Sequence, residues 1–300
     1  MANYPQFRNL PGTRPAWVTQ KLFPFESRFI SVAGHNIHYI DEGKGPIILL
    51  LHGNPAWSFL FRKVIAQLST KFRCVSLDYP GFGLSHAADG YDFLPSSHAQ
   101  IVAAFIEKLS LRNVILAVSD WGGPIGLSVA AENPENIAGL IIGNTFAWPV
   151  NDDLHFIWFS RFFGGTLGRF LVRNFNAFVN MLLPMVVRHA RLSEAEKNAY
   201  RFPFPTPESR LPTHIFPREI LASHEFLGVL NKALSALKEK PTLFLWGEKD
   251  IAFRLRELEK FQTYFPVSKT KLLPQAGHFI WEDSPEEIAA AICDLFLPKK

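Results

Sequence analysis

Three hundred residues, 48% of them hydrophobic and 19% charged, describe an ordinary globular protein and exclude a disordered chain. A chain of this length buries about three quarters of its extended surface, so it needs no disulfide staples, and its two cysteines, Cys74 and Cys293, read as buried apolar thiols. The net charge of +4 is scattered rather than gathered into a basic stripe, which argues against nucleic-acid binding, and unbroken apolar runs such as Ile47–Leu51 are far too short to cross a bilayer.

The N-terminal stretch carries Pro5, Pro11 and Pro15 but no apolar segment, so no signal peptide is expected and a cytoplasmic protein follows. Residues 28–32 and 36–41 alternate around Ala33-Gly34, a hairpin signature. His35 and His38 on this hairpin are expected to be exposed strand residues. Residues 46–51 form a continuous apolar run of the kind buried parallel strands show, and similar runs recur at 72–77, 114–118, 137–143, 242–246 and 270–273. That makes eight strands. Helical patterns lie between them at 59–68, 96–109, 122–131, 255–265 and 285–296, the last opened by Pro285 and a capping box of Ser284 and Glu287. Alternating strands and helices predict an α/β protein whose mostly parallel sheet is covered on both faces.

One stretch, from about 146 to 217, shows no strand pattern. It reads as amphipathic helices with Phe156, Trp158, Phe159, Phe162, Phe163, Phe170, Phe175 and Phe178 on apolar faces, and its later part is broken by Pro203, Pro205, Pro207 and Pro212. A helical cap inserted after the sixth strand is expected, dividing the chain into core residues 1–145, cap residues 146–217 and core residues 218–300.

The chemistry-bearing residues sit where strands end. Val118-Ser119-Asp120-Trp121-Gly122-Gly123 closes a strand and opens a helix. A nucleophile on so sharp a turn needs small residues two positions either side. With Ser119 as nucleophile the downstream position would hold Trp121, which the turn cannot accommodate. With Asp120 it holds Gly122, which fits. The turn therefore presents a carboxylate. Asp250 follows the next-to-last strand and His278 follows the last, in chain order nucleophile, acid, base, and loops at the carboxyl ends of parallel strands converge on one crevice. His52-Gly53-Asn54-Pro55 follows the third strand, so the backbone N–H groups of Asn54 and Trp121 are placed to form an oxyanion hole.

These residues together resemble the α/β-hydrolase fold and, within it, the haloalkane dehalogenases. The resemblance rests on His52-Gly53-Asn54-Pro55 with the following Trp57-Ser58-Phe59-Leu60-Phe61-Arg62, on Asp78-Tyr79-Pro80-Gly81-Phe82-Gly83-Leu84-Ser85, on Asp120-Trp121-Gly122-Gly123, on Asp250 and on Gly277-His278-Phe279, and it covers the chain from about residue 25. It implies an Asp120 nucleophile, a His278 base oriented by Asp250, and a halide held by the side chains of Asn54 and Trp121, as in the family's third subfamily. One departure is Ser119, where relatives often carry His or Gln. The implied substrates are a halogenated alkane and water, with no cofactor, metal, nucleic acid or membrane, and with self-association into homo-oligomers allowed.

That chemistry suits the residues. A carboxylate displaces halide in line, and its ester is then hydrolysed; neutral N–H donors stabilise the charge growing on the departing halogen. Trp148, Phe156, Phe159 and Phe279 are expected to line the substrate pocket. The rival within the fold is an epoxide hydrolase, which would want two cap tyrosines as acids; only Tyr200 lies in the cap.

Overall fold

The computed structural model describes residues 12–298. The stretch around Pro5 and Pro11, and with it the expectation about a signal peptide, lies outside them. All eight expected strands form: β1 (Arg28–Val32), β2 (His35–Glu42), β3 (Ile47–Leu51), β4 (Arg73–Leu77), β5 (Val114–Asp120), β6 (Ile137–Thr145), β7 (Thr242–Gly247) and β8 (Ser268–Leu273). They make one sheet in the order β1-β2-β4-β3-β5-β6-β7-β8. The pairs β1/β2 and β2/β4 are antiparallel, and every later pair is parallel. Ala33 at φ 46° and Gly34 at φ 85° make the tight β1–β2 turn, whose left-handed pair matches the strand twist.

The core helices are α1 (Arg62–Leu68), preceded by a tighter turn at Ser58–Phe61, α2 (Pro95–Lys108), α3 (Gly122–Glu132), α10 (Leu255–Tyr264), α11 (Ile280–Asp283) and α12 (Pro285–Phe296). Packing of α1 on α12 and of α2 on α3 covers the two faces of the sheet. This explains why β3 is apolar throughout, and β5 from Val114 to Val118, rather than alternating. No helix among the described residues is long and apolar enough to cross a membrane.

Between β6 and β7 the described residues hold helices and no strand: α4 (Leu154–Phe163), α5 (Thr166–Phe175), a wide turn at Phe178–Leu182 running into α6 (Leu183–Val186), α7 (Glu194–Arg201), α8 (Leu211–Ala222) and α9 (His224–Ala233). Asp153 caps α4 by accepting from the His155 N–H, and Ser193 with Glu196 forms a full capping box on α7. The segment with Pro203, Pro205 and Pro207 interrupts the helices, but Pro212 opens α8 instead of breaking it. Residue 217, the expected end of the cap, falls inside α8.

Several expectations fail at the level of side chains. His35 and His38 are buried, because β2 lies between two neighbours and not at an edge; His38 Nδ1 stands 2.8 Å from Asp78, and His35 Nδ1 accepts from the Ala88 N–H. Ser284 does not close a capping box on α12, since its side chain bonds no helix N–H and Glu287 pairs with Lys271. Cys293 is only half-buried. Trp158, Phe170 and Phe175, expected on apolar helix faces, are 72%, 55% and 56% exposed.

Candidate active site

β5 is buried up to Ser119 and breaks sharply at Asp120, whose φ of +51° is left-handed and uncommon for a residue with a side chain. The turn leaves no room beyond it: a Cβ on Gly122 would stand 2.2 Å from the Leu51 carbonyl oxygen. The Asp120 carbonyl is held by the Thr145 hydroxyl at 2.5 Å. The carboxylate therefore projects from the end of the sheet with its backbone fixed on both sides.

The loop after β3 meets that carboxylate. The Asn54 backbone N–H donates to Asp120 Oδ1 at 2.7 Å. His52 steadies the loop as a neutral ring: burial, outweighing the pull of Asp78, pushes its pKa down to about 4. Its Nε2 accepts from the Tyr79 N–H at 3.2 Å, so Nδ1 carries the proton and donates to the Gly53 carbonyl at 2.9 Å.

His278 and Asp250 come together as the order of their strands requires. His278 Nδ1 lies 3.0 Å from Asp250 Oδ2, and Asp250 Oδ1 accepts from the Ala252 N–H at 2.6 Å. The other face of the ring reaches toward the elbow, with Nε2 3.6 Å from Asp120 Oδ2. Burial works against charge on this ring, but the charge of Asp250 and the hydrogen bonds and charge of Asp120 outweigh it and raise the His278 pKa to about 10.

Above these groups lies a cavity of about 440 Å³ between the sheet and the helical insertion. Asn54, Asp120 and His278 stand in its wall beside His155, and apolar side chains such as Phe156, Phe159, Phe163, Phe253 and Phe279 supply most of the rest. A larger open groove of about 860 Å³, lined by residues such as Glu107, Arg112 and Glu132, contains none of the candidate site residues. The buried Trp121 packs between Phe146 and Phe216, and its indole N–H has no acceptor among the described residues, so a donor is free at the cavity wall. The Asn54 side-chain amide donates to the Thr213 carbonyl at 3.1 Å, which uses one of its two hydrogens. A second, minute cavity of about 10 Å³ touches Ser119, Asp120 and His278, room for about one water.

Of the expected pocket residues, Phe156, Phe159 and Phe279 line the cavity and Trp148 does not. Trp148 packs its ring 4.8 Å from Phe261, with the Lys260 ammonium 4.4 Å above it. The cavity also takes Met181 and Leu182 from the wide turn, Met185 from α6, and Ile251 and Phe253 from the loop after Asp250. Ile251 and Phe253 were within reach of sequence reasoning, because they directly follow the candidate acid.

The family pattern of the alpha/beta hydrolase fold matches residues 46–285. Haloalkane dehalogenase 2 of Mycobacterium tuberculosis is 41% identical over 278 residues, spanning 92% of this chain and 96% of that protein. The chain belongs to the haloalkane dehalogenase family. The crystal structure of haloalkane dehalogenase DbeA from Bradyrhizobium elkani superimposes with a TM-score of 0.83 at 28% identity, covering 90% of this chain and 97% of that one. A cis-3-alkyl-4-alkyloxetan-2-one decarboxylase of Shewanella oneidensis is 33% identical over 90% of this chain and 88% of its own, so this haloalkane dehalogenase sequence also has relatives named for another reaction.

Proposed function

We propose that this protein hydrolyses the carbon–halogen bond of halogenated alkanes to an alcohol, a halide ion and a proton, with Asp120 as nucleophile, His278 as base, Asp250 as its orienting acid, and Asn54 and Trp121 as donors. The supporting observation is the set of contacts around Asp120. One carboxylate oxygen is held by the Asn54 N–H, the other faces His278, and an indole N–H stands free in an apolar wall next to it.

In the first step Asp120 Oδ2 attacks the halogen-bearing carbon. The new C–O bond forms as the C–X bond breaks, and its electron pair leaves on the halide. The Trp121 indole and the second hydrogen of the Asn54 amide receive that charge where water is largely excluded. In the second step His278 takes a proton from a water, and the oxygen adds to Cγ of the Asp120 ester. The chamber of about 10 Å³ between Asp120 and His278 suits that water. The oxyanion develops on Oδ1 beside the Asn54 backbone N–H, with the Trp121 backbone N–H as second donor. On collapse the Cγ–Oδ2 bond breaks, His278 returns its proton to Oδ2 so that the alcohol leaves, and the new Asp120 carboxyl loses the product proton to solvent.

The charges favour this order. While Asp120 is a carboxylate it helps to keep His278 protonated, and an imidazolium cannot act as base. Esterification removes that charge and lowers the His278 pKa, which favours the neutral base once an ester awaits hydrolysis, while Asp250, the larger influence, stays in place. An epoxide hydrolase needs an acid over the pocket. Tyr200, its candidate, is buried, donates to Glu282 at 2.6 Å and does not line the cavity. Halide release from 1-bromobutane, measured beside hydrolysis of styrene oxide and decarboxylation of a cis-3,4-dialkyloxetan-2-one, tests the reading: release of bromide with the other two silent is expected, and turnover of either other substrate without bromide release overturns it.

A further inference from the structure

The residue before the candidate base is held by two buried side chains that the reaction does not use. The Gly277 N–H donates to Asp283 Oδ2 at 2.8 Å, and the Gly277 carbonyl accepts from Asn144 Nδ2 at 2.9 Å. The peptide joining Gly277 to His278 is engaged at both ends, because the His278 N–H also donates to the Val186 carbonyl at 3.0 Å. A planar peptide with its N–H and C=O both tied cannot swing, so the direction of the His278 side chain is set from behind.

Each of these side chains also grips a second element. Asn144 Oδ1 accepts from the Gly247 N–H at 2.9 Å, at the end of β7 and three residues before Asp250. One amide thus joins the base loop to the strand carrying the acid. Asn144 reaches this position because the β5–β6 register slips at Asp120, which pairs with Thr145. Asp283 Oδ1 accepts from the N–H groups of His189 at 2.8 Å and Ala190 at 2.7 Å, and Oδ2 accepts from that of Arg188 at 3.0 Å. A carboxylate 4% exposed therefore collects N–H groups from the insertion and from the base loop together. The fit is tight, since a Cβ on Gly277 would stand 2.3 Å from the Val186 carbonyl oxygen and 2.5 Å from Arg188 Cγ.

We propose that Asp283 and Asn144 are positioning residues that fix His278 against Asp250 and Asp120 by clamping Gly277, and that Asp283 ties this clamp to the insertion at residues 188–190. The proposal rests on the reading of His278 as base for ester hydrolysis. Its consequence is selective. Alkylation of Asp120 needs only the carboxylate and the halide donors, whereas ester hydrolysis needs His278 in register. Loosening the clamp slows the second step and leaves the first.

The test is rapid-quench halide release from a bromoalkane with the full-length protein. Asp283→Asn keeps the volume but replaces one acceptor by an NH₂ facing backbone N–H groups. The expected result is a burst of bromide equal to the enzyme present, then steady turnover at least tenfold below the wild type, with the alkyl ester on the Asp120 peptide visible by mass spectrometry. Asn144→Gly carries the same test from the other side. Its backbone φ of 38° suits glycine, so the variant removes the clamp without straining β6. A folded variant with turnover within twofold of the wild type, or with burst and steady rates lowered equally, overturns the proposal, and should Asp283→Asn fail to fold, Asn144→Gly decides alone. Wild-type protein that releases no bromide at all overturns the dehalogenase reading instead, and the clamp's role falls with it.

Discussion

Asp120 Oδ2 and His278 Nε2 face one another across 3.6 Å, with Asp250 3.0 Å behind the ring. One imidazole thus stands between two carboxylates, and its protonation is coupled to the state of Asp120. The first prediction concerns pH. Because the folded-state pKa of about 10 lies above the ordinary 6.5, protonated His278 stabilises the fold fully below about pH 6.5, and this contribution disappears as pH rises toward 10. The Tm of the wild type should fall between pH 7 and 10 by more than that of Asp120→Asn, in which one of the two charges is gone. Parallel pH–Tm curves for the two proteins would show that the coupling is absent.

The second prediction isolates the base. His278→Phe leaves Asp120 and its proposed donors in place but removes the group proposed to activate water. One equivalent of bromide should be released and turnover should stop, with the alkyl group retained on the Asp120 peptide. Correctly folded protein that releases bromide and carries no adduct would exclude the covalent intermediate.

The third prediction concerns the halide donors. Trp121 sits between aromatic rings with its N–H unpaired, so Trp121→Phe deletes a donor with little change in packing. Removing one such preorganised donor typically costs about 10²–10³ in rate. Chloroalkanes should suffer more than iodoalkanes, because chloride leaves less readily and depends more on assistance. Bromide should quench tryptophan fluorescence in the wild type and less in Trp121→Phe; equal losses across the halogens would argue that Trp121 only packs.

The meeting of Asp120, Asp250 and His278 is legible in the sequence because each lies where an apolar run stops, and runs of that kind have few ways to pack. Size alone favours Asp120 over Ser119 at the elbow, and position 122 has room only for glycine, since even one carbon would meet the Leu51 carbonyl. The pocket was less legible. Trp148, expected in the pocket, turns instead toward α10 and packs on Phe261. Met181 and Met185 carry no periodic signal, because the segment from Phe178 to Val186 is a wide turn and one short helix. The exposure of Trp158 and Phe170 and the burial of His38 depend on which neighbours cover an element, which a pattern along one chain does not encode.

The last prediction uses the shape and lining of the cavity. Asn54, Asp120 and His278 stand together in its wall, and most of the remaining lining, Phe159, Leu182 and Met185 included, is apolar. A terminal bromoalkane would place its halogen beside those polar groups and its chain along the apolar lining. Each added methylene should contribute about 0.8 kcal/mol of burial, which is about fourfold in kcat/KM. The cavity of about 440 Å³ is many times the room that one water needs, so the gain should continue past four carbons. A series from 1-bromoethane to 1-bromododecane measures this directly. Met185→Lys, placing a charge on the apolar wall, should flatten the series for long chains and leave bromoethane nearly unchanged. An optimum at two or three carbons would mean that the substrate does not occupy the apolar length of the cavity.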